Sequence, residues 1–534
     1  MNTSRRAFLK QVAVAGLAHT AISHGSLCAA PIPENAEADA VSGVASSEGG
    51  PAVDAKATDT ARQAGESTST WPNNPFLQGN FAPVQEEITA DQLPVTGQLP
   101  ADLRGMYVRN GPNPQFPPRG KYHWFDGDGM LHGVHLGDGR ASYRNRWVRT
   151  KGFDAERAAG RALWGSLLEL PRPEDFLQGA PFKNAANTAL AWHDGRLLAL
   201  WEGGPPHEIV VPELSTAGLY TYDERLRHSF TAHPKIDPLT GEMMFFGYSV
   251  MAPYLQYSVV GADGRIVRTT PIELPRPVMM HDFAVTERYS IFMDLPETFD
   301  LVAAAGGAPP FRFAPELGAR FGILPRHGEG SQVRWFAAEP CFVFHTLNAY
   351  EDGDQVVLIG CRMERFPELL AADTADTAAA WNAAMLNSPR PYRWRFDLAT
   401  GETHEEPLDD LAVDFPRVPD ARLGRPMRYG YYMSIDQDAL VKFDHQRGTH
   451  ELHRHGPGRS GGEGVFVPRP DGQHEDDGWL ITFVYDQALD RSELVVVDAR
   501  DMSAPPLARV HLPQRVPHGF HGLWLDEALW TPRA

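Results

Sequence analysis

The sequence predicts an all-β chain built as a β-propeller. Short apolar and aromatic runs recur along it: RLLALWEGG, MMFFGYSV, SIFMDLP, QVVLIGCR, YRWRFDL, WLITFVYD and ELVVVDAR. Between them stand HDGR, DPLTGE, ADGR, EDGD, DLATGE and DHQRGTHE, whose Asp-Gly and Thr-Gly pairs favour tight hairpin turns. Long helical patterns do not alternate with these runs, so antiparallel hairpins dominate. A meander of roughly 450 residues is best closed by radial repetition, which leaves few exposed sheet edges. A large sandwich or two stacked barrels would be the alternative, since the diagnostic dipeptides of strictly repeating propellers are absent.

The first element is an address. Ser4-Arg5-Arg6-Ala7-Phe8-Leu9-Lys10, followed by QVAVAGLAHTA, resembles a twin-arginine export signal spanning residues 1–30. It implies the twin-arginine machinery as a partner and a periplasmic destination. Cys28-Ala29-Ala30 has the small residues of a cleavage site, although Pro31 is a poor residue after a scissile bond. Residues 31–73 are Ala, Ser, Gly, Asp and Thr with almost no large apolar side chain, and read as a flexible linker. The folded domain is expected over 74–534.

All 534 residues carry a formal net charge of -19, which argues against nucleic acid and against binding anionic lipid by charge alone. Three cysteines, Cys28, Cys341 and Cys361, cannot form a disulfide framework for a chain of this size. No run of some twenty apolar residues offers a spanning helix. Two helical insertions are expected, AERAAGRALWGSLLEL near 155–170 and ERFPELLAADTADTAAAWNAAMLN near 364–387.

Four histidines share one setting. His345 lies inside the apolar run CFVFHTLNAY, His233 in FTAHPKIDPLTGEMMFF, His281 in MMHDFAVTERYSIFMDLP and His521 in PHGFHGLWL. Taken singly, each could be a neutral core ring bonded to a backbone carbonyl. Together they fall at intervals of about one blade, one blade and several blades, at about 40 to 65 residues per blade. One imidazole from each of four inner strands would meet on the axis as a metal site. His518 competes with His521 on this reading, whereas His404, His450, His453 and His474 stand among polar residues.

These motifs, in order, are NGPNPQF, WFDGDGMLHG, AHPKIDPLTGE, MMHDFAVTE, FHTLNAYEDGD, GEGVFVPRP, EDDGWLITFVYD and GFHG. From about residue 75 to the C-terminus the set resembles the carotenoid cleavage oxygenase family. The resemblance implies a seven-bladed propeller with a helical and loop cap over one axial non-haem Fe(II). The implied ligands are His233, His281, His345 and His521, the last because the family pattern places the ligand inside GFHG. Three carboxylates are implied behind the ligand rings, matching Glu202 in LALWEGG, Asp414 in AVDFPRV and Glu463 in GGEGVFV. Asp414 stands where the family has glutamate, and one missing methylene puts its hydrogen bond in question. The Asp126-Gly127-Asp128-Gly129 run has too few oxygens at fixed offsets for a calcium loop and is expected to be a structural turn.

The implied activity is cleavage of a C=C bond of a carotenoid or apocarotenoid by O2 into two carbonyl products. This four-electron oxidation balances one O2 and needs no nicotinamide or flavin, and no glycine-rich dinucleotide loop is found. The substrate would be a hydrophobic alkene in an apolar tunnel, to which the 10% aromatic residues could contribute. The alternative within the family is a stilbene or phenylpropenoid cleaver, whose tyrosine and lysine hold the phenol. Here Trp147 resembles the tyrosine position and Lys183 the lysine, although a lysine on a solvated loop is the plain alternative, and phenylpropenoid-cleaving relatives can also carry tryptophan there. A non-catalytic carotenoid- or lipid-binding propeller and a metal-dependent hydrolase are readings of other classes; four histidines disfavour the latter. LVAAAGGAPPFRF at 301–313 could make peripheral contact with a bilayer surface.

Overall fold

The computed structural model describes residues 71–167, 169–304, 310–366 and 388–530. The expected signal, nearly all of the expected linker and most of the expected helix at 364–387 lie outside these residues. So do residues 305–309 of the apolar stretch at 301–313, of which Leu301–Ala304 forms one helical turn with Val302 exposed.

Seven antiparallel sheets stand around one axis as blades. The second blade starts at Ala189–His193, the third at Lys235–Ile236, the fourth at Ala284–Val285, the fifth at Phe342–Asp352 and the sixth at Val413–Arg417. The seventh and first blades are each sewn from both ends of the chain. Val95–Gly97 pairs with Ala508–His511 at the rim of the seventh, while Gly522–Asp526 pairs with Gly105–Pro112 inside the first. This double closure leaves the ring without a free seam.

The hairpin turns lie where Asp-Gly pairs predict them. His193 faces Arg196 across a two-residue loop in which Asp194 and Gly195 have φ of 48° and 72°. A turn with two positive φ values matches the twist of the strands it joins, and Asp-Gly reaches it at little cost. The apolar residues of the strands pack between blades rather than within one. Seven clusters fill the seven blade interfaces, with Leu494 and Tyr107 between the seventh and first and Trp394 and Phe321 between the fourth and fifth. Each fully buried large side chain contributes about 1.5–3 kcal/mol, so the interfaces hold the ring.

The helix expected near 155–170 runs instead over Lys151–Ala159. Thr150 caps its start by accepting from the Phe153 N–H, and Gly160, in the left-handed conformation, ends it. The Ala-Gly step inside AERAAGRAL is thus a stop, and 161–167 continues without helix. The other described α-helices are single turns, Pro173–Phe176 and Leu301–Ala304. A two-stranded ribbon, Glu297–Phe299 with Phe311–Phe313, is inserted between the second and third strands of the fourth blade.

Candidate metal centre

The four predicted histidines converge on the axis. His233 and His281 lie two and three residues before the innermost strands of the third and fourth blades, His345 lies within that of the fifth, and His521 immediately precedes the closing strand of the first. A register shift between Val343 and Thr346 interrupts pairing at His345 and frees its side chain from the ladder. One nitrogen from each ring lies within 4.8 Å of the others, and the rings stand 4.6 to 5.1 Å apart edge to face. Nε2 of His233 is 2.9 Å from Nε2 of His281.

Three carboxylates fix the opposite nitrogens. Nδ1 of His281 is 2.7 Å from Oε2 of Glu202, Nδ1 of His345 is 2.8 Å from Oδ1 of Asp414, and Nδ1 of His521 is 3.0 Å from Oε1 of Glu463. A carboxylate only accepts, so Nδ1 carries the proton and the Nε2 lone pair faces the cluster. Tyr248 donates to Glu202 at 2.7 Å, and the Gly522 N–H donates to Glu463 at 2.7 Å. For His233 the described residues provide no such carboxylate; its backbone N–H donates to Oγ1 of Thr231.

Electrostatics favour the neutral, ligating form at two of these rings. Burial pushes His233 well below the usual histidine range, and the neighbouring rings push it further. Burial also lowers His521 against the pull of Glu463. At His345 burial is outweighed by Asp414, and the net shift is upward. Burial works against the charge on Glu463, but Arg417, His521 and the Gly522 N–H together hold it below the usual carboxylate range.

The donor set fits a metal ion. Nε2 of His345 is buried without a hydrogen-bond partner, which is costly for a lone pair unless a cation takes it. Four neutral imidazoles suit a transition metal rather than calcium or magnesium.

The family model described as retinal pigment epithelial membrane protein (RPE65) matches residues 81–526. A carotenoid 9,10(9',10')-cleavage dioxygenase from Pisum sativum is 43% identical over 501 residues, 86% of this chain and 91% of that protein. Among solved structures, Pseudomonas brassicacearum lignostilbene dioxygenase superposes with a TM-score of 0.77 at 31% identity, covering 85% of this chain and 99% of that one. Cobalt-substituted Synechocystis ACO gives 0.76 at 30% identity, covering 83% and 97%. The chain belongs to the RPE65/carotenoid cleavage oxygenase family. It is an enzyme of the dioxygenase type.

In this family member His518 is not part of the cluster. It stacks on Trp124 with ring centroids 4.7 Å apart, and its Nε2 lies 2.9 Å from Nε2 of Gln437. The Asp126–Gly129 run is a turn: Asp126 accepts from the His123 and Leu167 N–H groups and from Ser166, while Asp128 pairs with Lys183 at 2.8 Å. Lys183 is therefore not on a solvated loop. Asp128 and Glu156, the latter at 2.7 Å, hold it in a largely buried pair of salt bridges. Trp147 is buried and donates its indole N–H to the Asn113 carbonyl at 2.9 Å. Cys341 and Cys361 are buried free thiols. No helix among the described residues is long and apolar enough to cross a membrane.

Sequence reasoning missed a second carboxylate network. Asp282, the residue after His281, is 2.7 Å from Nζ of Lys235 and accepts at 2.8 Å from both the N–H and the hydroxyl of Thr346. Lys235 lies two residues after His233 and Thr346 one after His345, so one buried carboxylate ties three histidine-bearing segments together. The adjacency of Asp282 to a ligand was its only signal in the sequence.

Proposed function

We propose that this enzyme uses one Fe(II), held by His233, His281, His345 and His521, to cleave a C=C bond of a carotenoid or apocarotenoid with O2 into two carbonyl products. The observation that carries the reading is the set of four imidazoles with no carboxylate among the ligands, three of them oriented through Nδ1 by Glu202, Asp414 and Glu463. Fe(II) would supply a redox centre for O2, and the alkene itself supplies all four electrons. The protein's part is geometric. The three carboxylates keep the Nδ1 protons in place, and the axial position fixes the centre, so the bond that is cut depends on where the substrate comes to rest.

The carotenoid class is favoured over the stilbene alternative by Lys183, which Asp128 and Glu156 already occupy, and by Trp147 in place of a phenol-binding hydroxyl. The 43% identity to a relative named for carotenoid cleavage points the same way. Anaerobic purification with metal analysis, followed by O2 uptake and product analysis on an apocarotenal and on resveratrol in parallel, tests the reading. Near one iron per chain and aldehydes from the apocarotenal are expected. Turnover of resveratrol alone would reverse the substrate assignment, and a folded protein without iron would favour a binding role. We also infer export by the twin-arginine route from Ser4–Lys10. Replacing Arg5 and Arg6 by lysine should trap the protein in the cytoplasm, and unchanged fractionation would refute it.

A further inference from the structure

Glu297 takes no part in holding the histidines, and its backbone bonds to the segment that leads to His281. In the ribbon of Glu297–Phe299 with Phe311–Phe313, Glu297 is opposite Phe313 and Phe299 is opposite Phe311. Opposed residues share a face and alternate along a strand, so Glu297 points to the same side as the three phenylalanines. Thr298 and Arg312 point to the other side, where Thr298 donates to the Pro277 carbonyl and Arg312 pairs with Glu316.

The three phenylalanines pack on Met279, Phe342, Phe344, Met363 and Phe366, and Phe344 meets the His281 ring edge-on with centroids 5.4 Å apart. The Met279 N–H donates to the Glu297 carbonyl at 2.9 Å. Glu297 therefore runs beside a residue two positions, about 7 Å of extended chain, from a metal ligand.

In this aromatic setting Glu297 is 1% exposed, and its Oε2 has no hydrogen-bond partner among the described residues. Burial pushes the carboxyl up to about 8, and Arg312 opposes this only in part. The group is then mostly a neutral acid at pH 7, with an O–H to donate and a carbonyl oxygen to accept. A leucine would satisfy the packing without an orphaned polar group. A buried carboxyl oxygen left unsatisfied by the chain calls for a partner from outside it.

We infer that Glu297 is a specificity-determining residue whose carboxyl binds a hydroxyl or carbonyl oxygen on the end group of an otherwise hydrocarbon alkene. The inference rests on the alkene-cleaving reading and narrows its substrate class to oxygenated carotenoids or apocarotenoids. An unsubstituted hydrocarbon ring would leave the acid buried and unpaired, so the residue discriminates mainly by penalising the wrong end group.

The test uses the iron-loaded full chain and two apocarotenals that differ only by a ring hydroxyl. kcat/KM and, independently of turnover, Kd from ligand absorbance titrations are measured for wild type, Glu297→Gln and Glu297→Leu. Wild type is expected to favour the hydroxylated compound by about tenfold in both, the size of one good buried hydrogen bond. Glu297→Gln, which still donates and accepts, should keep most of that preference. Glu297→Leu should lose it, chiefly in KM, by binding the hydrocarbon compound more tightly. An unchanged Kd ratio in Glu297→Leu, with an unaltered melting temperature, overturns the assignment. Altered Kd ratios without turnover of either compound would instead count against the cleavage reading and leave Glu297 as a binding determinant.

Discussion

Oδ1 of Asp414 stands 2.8 Å from Nδ1 of His345, so the shortest of the three carboxylates reaches its histidine directly. A backbone irregularity follows it. Pairing of the sixth blade's inner strand shifts register between Asp414 and Arg417, and Phe415 takes a positive φ of 51°. The Phe415 ring lies against His345 and His521, with centroids 5.0 and 4.9 Å away. The sequence flags the shorter side chain but not the bulge beside it.

Asp414 should therefore act on metal retention more than on folding. Asp414→Asn removes the charge that fixes the His345 tautomer, and loss of such a supporting carboxylate typically weakens metal binding by about 10–100-fold. Iron content after dialysis against graded chelator concentrations should fall at lower chelator than for wild type, with a similar melting temperature. Chelator resistance equal to wild type would contradict this role.

A paired comparison separates ligand from neighbour. His345→Ala should abolish stoichiometric iron and turnover because it removes the donor whose Nε2 is buried and unpartnered. His518→Ala should keep the iron, since that ring stacks on Trp124 and faces Gln437. Metal analysis of the two purified variants decides it, and equal iron in both would sink the ligand assignment.

The histidines were legible because their setting repeats. Each lies in an apolar segment at a blade's inner edge, and a blade-like spacing on a closed ring sends such residues to one axis. Strands and turns were legible for the same local reason, as at Asp194-Gly195. Three-dimensional partners were not. Tyr248 behind Glu202, and Lys235 and Thr346 on Asp282, depend on how neighbouring blades abut, which no local pattern records. Nor did the helical pattern near 155–170 weigh Gly160 enough, and the left-handed cap there ended the helix early.

Asp282 offers a test of the ring's mechanical coupling. It is 1% exposed and holds an ammonium, a hydroxyl and a backbone N–H from two other blades. Asp282→Ala leaves the partly buried Lys235 ammonium without its carboxylate and Thr346 without its acceptor, a loss of up to about 3 kcal/mol, the low end for broken buried pairs. Denaturant unfolding should show a lower midpoint, and the iron should become easier to remove because three ligand segments lose their common tie. A midpoint at the wild-type value would show that the network is dispensable.

Glu297 adds a pH dependence to stability whose sign is fixed. Its folded-state value of about 8 lies above the ordinary 4.5, chiefly through burial, so the folded protein keeps a proton that the unfolded chain releases. The group's contribution is then complete below about pH 4.5 and is lost as the pH rises towards 8, at up to about 1.4 kcal/mol per unit. Above pH 8 both states are ionised and the loss levels off. Glu297→Gln cannot ionise and should not share this slope. The melting temperature of the variant relative to wild type should rise between pH 5 and pH 8.5 by about 4 °C, since at most about 4 kcal/mol is lost and a domain this large shifts by only about 1 °C per kcal/mol. A difference that stays constant over that range would mean that the carboxyl is ionised, and therefore charged and solvated or paired, in the folded enzyme at neutral pH.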